Sequence, residues 1–357
     1  MKRCRLLSAM VVLIIGVLLF LSGCGNKPAE NPAQNAEPAG QTLKLSGAGA
    51  SFPYPLYSKW IEQYKQVKQD VKIDYQSIGS SGGIRGITEQ ALDFAGSDVP
   101  MSDEEISKAQ GPIIHLPVTL GAVVIAYNLP GKPQLKMDAE VIGDIFMGKI
   151  NNWNDSRLAS LNPGVNLPDE KIEVIHRSDG SGSTYVFTDY LSSANSSWNN
   201  SPGKGKLIDW PVGTGAKGNE GIVSQVAQIE GAIGYMELAY AIKNNLPYAK
   251  VKNPAGNYIE PAISTTTAAA AGAADSIPPD LRVSIVNAPG ANAYPIAAFS
   301  YLLIYQRQKD PAKGKALSDF LLWAAHEGQR YSAELFYAPL PKNIVNLVDN
   351  KINGLTF

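Results

Sequence analysis

Residues 171–191 read KIEVIHRSDGSGSTYVFTDYL. The stretch opens with alternating apolar and polar residues rich in Ile and Val, which predicts a strand over 171–176. RSDGSGST then breaks the alternation with Gly and Ser, and YVFTDYLSSA continues as a helix. The order is strand, small-residue turn, helix. The same order recurs in LSGAGASFPYPLYSKW (45–60) and VKIDYQSIGSSGGIRGI (71–87). Repetition of this unit predicts α/β layers around a mixed or largely parallel sheet.

Working outward, strands are expected at 43–45, 71–75, 93–98 and 293–304, and in AIGYMEL (232–238). The apolar run 113–127 reads as two strands meeting at a crossing point, because Pro117 and Gly121 interrupt it. Helices are expected at 54–66, 84–89, 140–147, 223–230, 316–325 and 343–352. The nearly all Thr and Ala run 265–274 reads as an ordinary Ala-rich helix. SDEEISKAQ (102–110) opens with a capping pattern at Ser102 and Glu105. No fixed-period repeat is visible.

The three Gly/Ser turns share one chemistry. Glycine allows close backbone approach, and a helix start leaves N–H groups unpaired at the positive end of its dipole. Ser adds a hydroxyl donor, so a small tetrahedral oxyanion is the natural guest. Each Ser taken alone also reads as a plain N-cap. None of the turns matches a P-loop or a dinucleotide fingerprint. GTGAKG (213–218) lacks the Lys-Ser/Thr ending and reads as a loop.

Two charged residues sharpen this reading. Arg177 ends the 171–176 strand, where its planar fork can grip two oxygens and Asp179 can hold it; a plain surface ion pair is the alternative. Asp98 ends DFAGSD (93–98). A carboxylate beside an anion fits only a guest that brings a proton, as hydrogen phosphate does and sulfate at neutral pH does not. Its alternative role is to cap the turn before Met101.

Composition bounds the rest. The 357 residues suggest about two domains and are ample for a sizeable core. With 45% hydrophobic and 18% charged residues, disorder and a multi-span membrane protein are excluded. A net charge of −1 gives no support to nucleic-acid binding, and two cysteines make neither a disulfide scaffold nor a Cys-rich metal site. Lys2, Arg3 and Arg5 precede the apolar run 6–21, which ends in LSGC (21–24). This reads as a signal peptide over 1–23 with a lipobox, giving lipid attachment at Cys24; an uncleaved anchor helix is the alternative. GNKPAENPAQNAEPAG (25–40) has little to bury, so residues 24–40 read as a flexible lipidated tether.

Taken with LDFAGSDVPMSDEEI (92–106), WPVGTGAKGNEGI (210–222) and GAIGYMELAYA (231–241), the three turn segments resemble the exported phosphate-binding protein of bacterial phosphate ABC transporters. The resemblance implies a two-lobed periplasmic-binding-protein fold of type II, two α/β lobes joined by a hinge of two crossing segments. Lobe I would comprise 41–117 and 292–357, and lobe II 118–291. Phosphate would be bound by Ser51, the Phe52 N–H, Ser80, Asp98, Arg177, Ser181, the Gly182 N–H and Ser183, with Asp179 orienting Arg177. Thr is common in the family where this chain has Ser51 and Ser183, and the hydroxyl survives in both places.

The implied function is capture of phosphate outside the cytoplasm and delivery to an ABC permease in the cytoplasmic membrane. It needs only a monomer, no metal and no cofactor. The rival guests are arsenate, molybdate and sulfate. The rival classes are a phosphate-ester hydrolase and a surface lipoprotein that has lost transport. For the hydrolase, the three histidines offer only His176 near the site, and Ser181 lacks a visible activating partner.

Overall fold

Along 71–77 the side chains of Val71, Ile73 and Tyr75 are buried while Lys72, Asp74 and Gln76 are exposed. That alternation is what a strand with one covered face requires. The computed structural model describes residues 42–357; the leader, Cys24 and the tether lie outside the described residues. In chain order the described strands are β1 (Leu43–Gly49), β2 (Val71–Ser77), β3 (Phe94–Ser97), β4 (Ile113–Tyr127), β5 (Lys136–Met137), β6 (Glu173–Arg177), β7 (Thr214–Ala216), β8 (Ala232–Glu237), β9 (Lys250–Lys252), β10 (Tyr258–Ile259) and β11 (Ala297–Tyr305). Eight of them form one sheet in the order β2-β1-β3-β11-β4-β8-β6-β7, and β10-β9-β5 form a small second sheet.

The large sheet is mixed. β1 pairs parallel with β2 and β3, and β6 pairs parallel with β7 and β8. β11 and β4 lie antiparallel between these groups. β4 joins them by changing partner along its length: Ile113–Ala122 pair with β11 and Val123–Tyr127 pair with β8. It is one continuous strand of 15 residues, not the two expected from Pro117 and Gly121. Pro117 is accommodated by an irregularity: Tyr301 faces Pro117, Ser300 faces Thr119, and Val118 is left without an opposite residue. A bulge absorbs a residue that cannot donate to the ladder.

The core is built on these strands. Leu116, Leu120, Val123, Val124 and Ile125 of β4 are fully buried, as are Leu303 and Ile304 of β11. Helices form where the sequence predicts them, at Tyr54–Val67, Ala139–Phe146, Pro311–Ala325 and Lys342–Asn353, and the Ala-rich run is helical over Ile263–Gly272. Ser102 and Glu105 form the expected capping box.

Two helices begin earlier than their propensities suggest. Ser80–Thr88 starts inside GSSGG, and Gly218–Gln228 starts at the end of GTGAKG. Glycine depresses helix propensity, yet both starts use it: Gly79 and Gly218 hold φ of 82° and 71°. GTGAKG is therefore a strand, β7, and a helix start, and not the loop read from its sequence. β1 and β3 run opposite to β6 and β7. Because β4 serves the first group with its first part and the second group with its last, the carboxyl ends of both groups point toward the middle of β4. The turns that follow them meet there, beyond the strands' carboxyl ends, where open α/β folds place their ligands.

Candidate anion-binding site

Arg177 is the last residue of β6, and its side chain is 1% exposed. Nε donates to Asp179 Oδ1 at 2.7 Å and Nη2 to Asp179 Oδ2 at 2.6 Å. Asp179 Oδ1 also accepts from the Gly218 N–H at 3.1 Å. Burial opposes the charge of both partners, but their mutual hydrogen bonds prevail, raising the guanidinium and lowering the carboxyl from their ordinary ranges. This is a buried, two-pronged ion pair and not a surface one. The third nitrogen, Nη1, is buried without a partner in the protein. An unpaired buried guanidinium N–H is costly, and it is a ready donor for an anion.

Ser80 begins its helix fully buried. Its Oγ accepts from the Gly182 N–H at 3.1 Å and from the Asp98 N–H at 3.3 Å. The turn after β3, the start of the Ser80–Thr88 helix and the start of the Gly182–Ala194 helix thus meet at one hydroxyl. Only glycine fits at 182, because a Cβ there would stand 2.7 Å from Asp98 Oδ2. The backbones of the two turns also touch directly, Ser81 N–H donating to the Gly180 carbonyl at 3.0 Å.

Asp98 is buried, and its Oδ1 accepts from the Ser300 hydroxyl at 2.9 Å. Burial raises its pKa to about 7, against the lowering pull of Ser300, Arg177 and Ser80. The turn-capping alternative fails on geometry. The Met101 N–H goes to His115 Nε2 at 3.0 Å, and the Ser97 hydroxyl goes to the Val99 carbonyl at 2.5 Å.

Ser51 follows β1. Its Oγ accepts from the Asn219 N–H at 3.2 Å and from Asn219 Nδ2 at 2.9 Å, and its carbonyl accepts from the Tyr240 hydroxyl at 2.7 Å. Phe52 is fully buried, with its carbonyl bonded by the Tyr337 hydroxyl at 2.7 Å. Ser183 is buried with Oγ 3.5 Å from Asn219 Nδ2. Ser181 is the N-cap of its helix, accepting from the Thr184 N–H at 3.1 Å, and its backbone N–H donates to the Lys206 carbonyl at 2.8 Å. The structure therefore brings Ser51, Phe52, Ser80, Asp98, Arg177, Asp179, Ser181, Gly182 and Ser183 into one hydrogen-bonded neighbourhood.

Sequence reasoning passed over Asn219, Ser300 and Tyr240. Asn219 lies in a fourth strand–turn–helix unit, so reading GTGAKGNEGI like the other three turns would have found it. Ser300 sits within an apolar strand and carries no signal. His176 is half-buried against the Trp210 ring at 4.8 Å, with Nδ1 beside the Arg177 carbonyl. Among the described residues, no group of three or more His, Cys, Asp and Glu is placed to hold a metal ion.

A family model for the PBP superfamily domain matches residues 31–327. The phosphate-binding protein PstS of Xylella fastidiosa is 44% identical over 313 residues, covering 87% of this chain and 85% of that protein. The chain belongs to the phosphate-binding protein (PstS) family. A second member, PstS of Pasteurella multocida, is 42% identical over 310 residues, covering 86% of this chain and 89% of that protein. The solved phosphate-binding protein from Stenotrophomonas maltophilia aligns with a TM-score of 0.66 at 22% identity, over 86% of this chain and 93% of that one. That likeness establishes the fold, an α/β type II periplasmic-binding-protein architecture with a mixed sheet, as the family resemblance implied.

Proposed function

We propose that the protein captures inorganic phosphate, as hydrogen phosphate, outside the cytoplasm and delivers it to an ABC permease for import. It is a solute-binding protein and not an enzyme. The observation that carries this reading is the pairing of the unpartnered buried Arg177 Nη1 with the buried Asp98 carboxyl around the Ser80–Gly182 contact. One group asks for a negative oxygen and the other for a protonated one, and hydrogen phosphate offers both. Ser51, the Phe52 N–H, Ser80, Ser181 and Ser183 supply the neutral donors, the Gly182 N–H joins them by exchanging Ser80 Oγ for an oxygen of the ion, and Asp179 fixes the guanidinium. Preorganised buried dipoles suffice to hold an anion with little added charge. Arsenate shares the proton and is the rival guest; sulfate lacks it.

In this reading 41–117 with 292–357 form one lobe and 118–291 the other. β4 and the 292–297 segment are the crossings, and closure is a hinge motion that desolvates the ion. Cys24 carries the lipid and 25–40 the slack between membrane and lobe. A monomer is sufficient. The test is direct titration of the leaderless protein, stripped of phosphate, with phosphate, arsenate and sulfate in a calorimeter. Tight phosphate binding with sulfate excluded is expected; failure to bind any oxyanion would overturn the proposal.

A further inference from the structure

We infer that Asn219 is a positioning residue that fixes the direction of the Ser51 hydroxyl proton, making that end of the site a donor only. The inference rests on the phosphate reading above and deepens it. A serine hydroxyl has one proton to give and two lone pairs to accept with. At Ser51 two N–H groups of Asn219 approach Oγ, the backbone one at 3.2 Å and Nδ2 at 2.9 Å. With both acceptor positions engaged, the hydroxyl proton is turned toward a third group.

The amide cannot be flipped to relieve this. Its Oδ1 accepts from the Glu237 N–H at 2.9 Å, and a flipped NH2 would face that N–H. The β8 backbone therefore sets the Asn219 side chain, and Asn219 sets Ser51. Its second amide hydrogen faces Ser183 Oγ at 3.5 Å. Asn219 is fully buried, so water does not compete for these bonds. Ser51 follows β1 and Asn219 follows β7, in the two parallel groups on either side of β11 and β4, so the alignment exists only while the two groups of strands are brought together. The site is polarised: at Asp98 it accepts a proton from the anion, and at Ser51 it offers one to an unprotonated oxygen.

The test is a double-mutant cycle on phosphate affinity with Asn219→Ala and Ser51→Ala, together with Asn219→Asp. Aspartate keeps the acceptor for the Glu237 N–H but draws the Ser51 proton to itself. Each alanine variant is expected to weaken phosphate binding by roughly 10- to 100-fold, the range for a hydrogen bond to a charged group. The double variant should lose no more than Ser51→Ala alone, and Asn219→Asp should lose more than Asn219→Ala. Additive losses in the double variant, or an Asn219→Asp variant that binds like wild type, would overturn the inference. Thermal melts of the ligand-free variants identify any that fail to fold, in which case the near-isosteric Asn219→Asp decides. Failure of the wild-type protein to bind phosphate would count against the phosphate reading instead.

Discussion

Two aspartates sit within this site, and they behave in opposite ways. Asp98 is buried and bonded by the neutral Ser300 hydroxyl, with Arg177 acting on it through space and not through an ion pair, and burial pushes its pKa up to about 7. Asp179 is also largely withdrawn from water, yet Arg177 grips both its oxygens and its carboxyl is held below the usual range. Burial raises both; the charge of the partner decides the outcome. The contrast assigns them different work. Asp179 is a permanent anion that stiffens a cation, and Asp98 is an acid poised to exchange a proton with whatever lies beside it.

The comparison breaks most severely at Arg177. Arg177→Gln should leave Asp179 buried without its counter-ion and remove the buried guanidinium from the site. Losing one partner of a buried pair costs about 3–5 kcal/mol, which denaturant melts of ligand-free protein would register. Phosphate affinity should fall by roughly a thousandfold or more, because about 4 kcal/mol corresponds to that factor. Retained tight binding would show that neutral donors alone hold the ion.

The next test separates the aspartates by pH. The folded pKa of Asp98 lies above its unfolded value of about 3.8. Folded protein therefore binds more protons between the two values, and stability is lost as pH rises from about 4 to about 7. A displacement of this size corresponds to something on the order of 4 kcal/mol. Asp179 has the opposite sign, giving stability that is lost as pH falls through its lowered folded pKa. Asp98→Asn should flatten the higher window and leave the lower one in place, as chemical melts across pH would reveal. An unchanged profile would place the titrating group elsewhere.

Asp98→Asn also bears on selectivity. An amide N–H can face a fully ionised oxygen where a carboxylate cannot, so the phosphate-to-sulfate preference should shrink by roughly a hundredfold, the scale of about 3 kcal/mol for a charged group left badly paired. Competitive calorimetry with both anions measures the ratio, and an unchanged ratio removes Asp98 as the reader of the proton.

Most of this architecture was legible because its signals are local. Val71–Tyr75 alternates, Ser102 and Glu105 sit three apart, and each Gly/Ser turn separates a strand from a helix. The errors came where tertiary packing overrides a local rule. Pro117 lies within a continuous β4 because a bulge opposite Ser300 and Tyr301 takes up the mismatch. Gly79 and Gly218 begin helices because their positive φ is wanted there. In the site, Arg177, Asp179 and the serines declared themselves by residue type. Asn219 and Ser300 act through hydrogen bonds that span 168 and 202 positions of sequence, a distance at which local pattern carries no information.

The smallest effect belongs to a pair outside the buried centre. Lys206 Nζ lies 2.5 Å from Glu105 Oε1, with the two side chains 18% and 24% exposed. Lys206 carries the carbonyl that receives the Ser181 N–H, and Glu105 also completes the capping box of the Asp103–Ser107 helix. The pair therefore ties the segment after β3 to the start of the Gly182–Ala194 helix near the rim, where water screens it far more than it screens Arg177 and Asp179. Partly exposed pairs contribute about 1 kcal/mol or less. Lys206→Met should weaken phosphate binding by about fivefold or less at low salt, and the loss should fade as ionic strength rises and screening shortens. Glu105→Gln keeps an acceptor for the Ser102 N–H, so it should match Lys206→Met without melting the short helix. Titrations at two salt concentrations check both, and a loss that salt does not diminish would mean that this pair, like the inner one, is shielded from solvent and belongs to the binding centre.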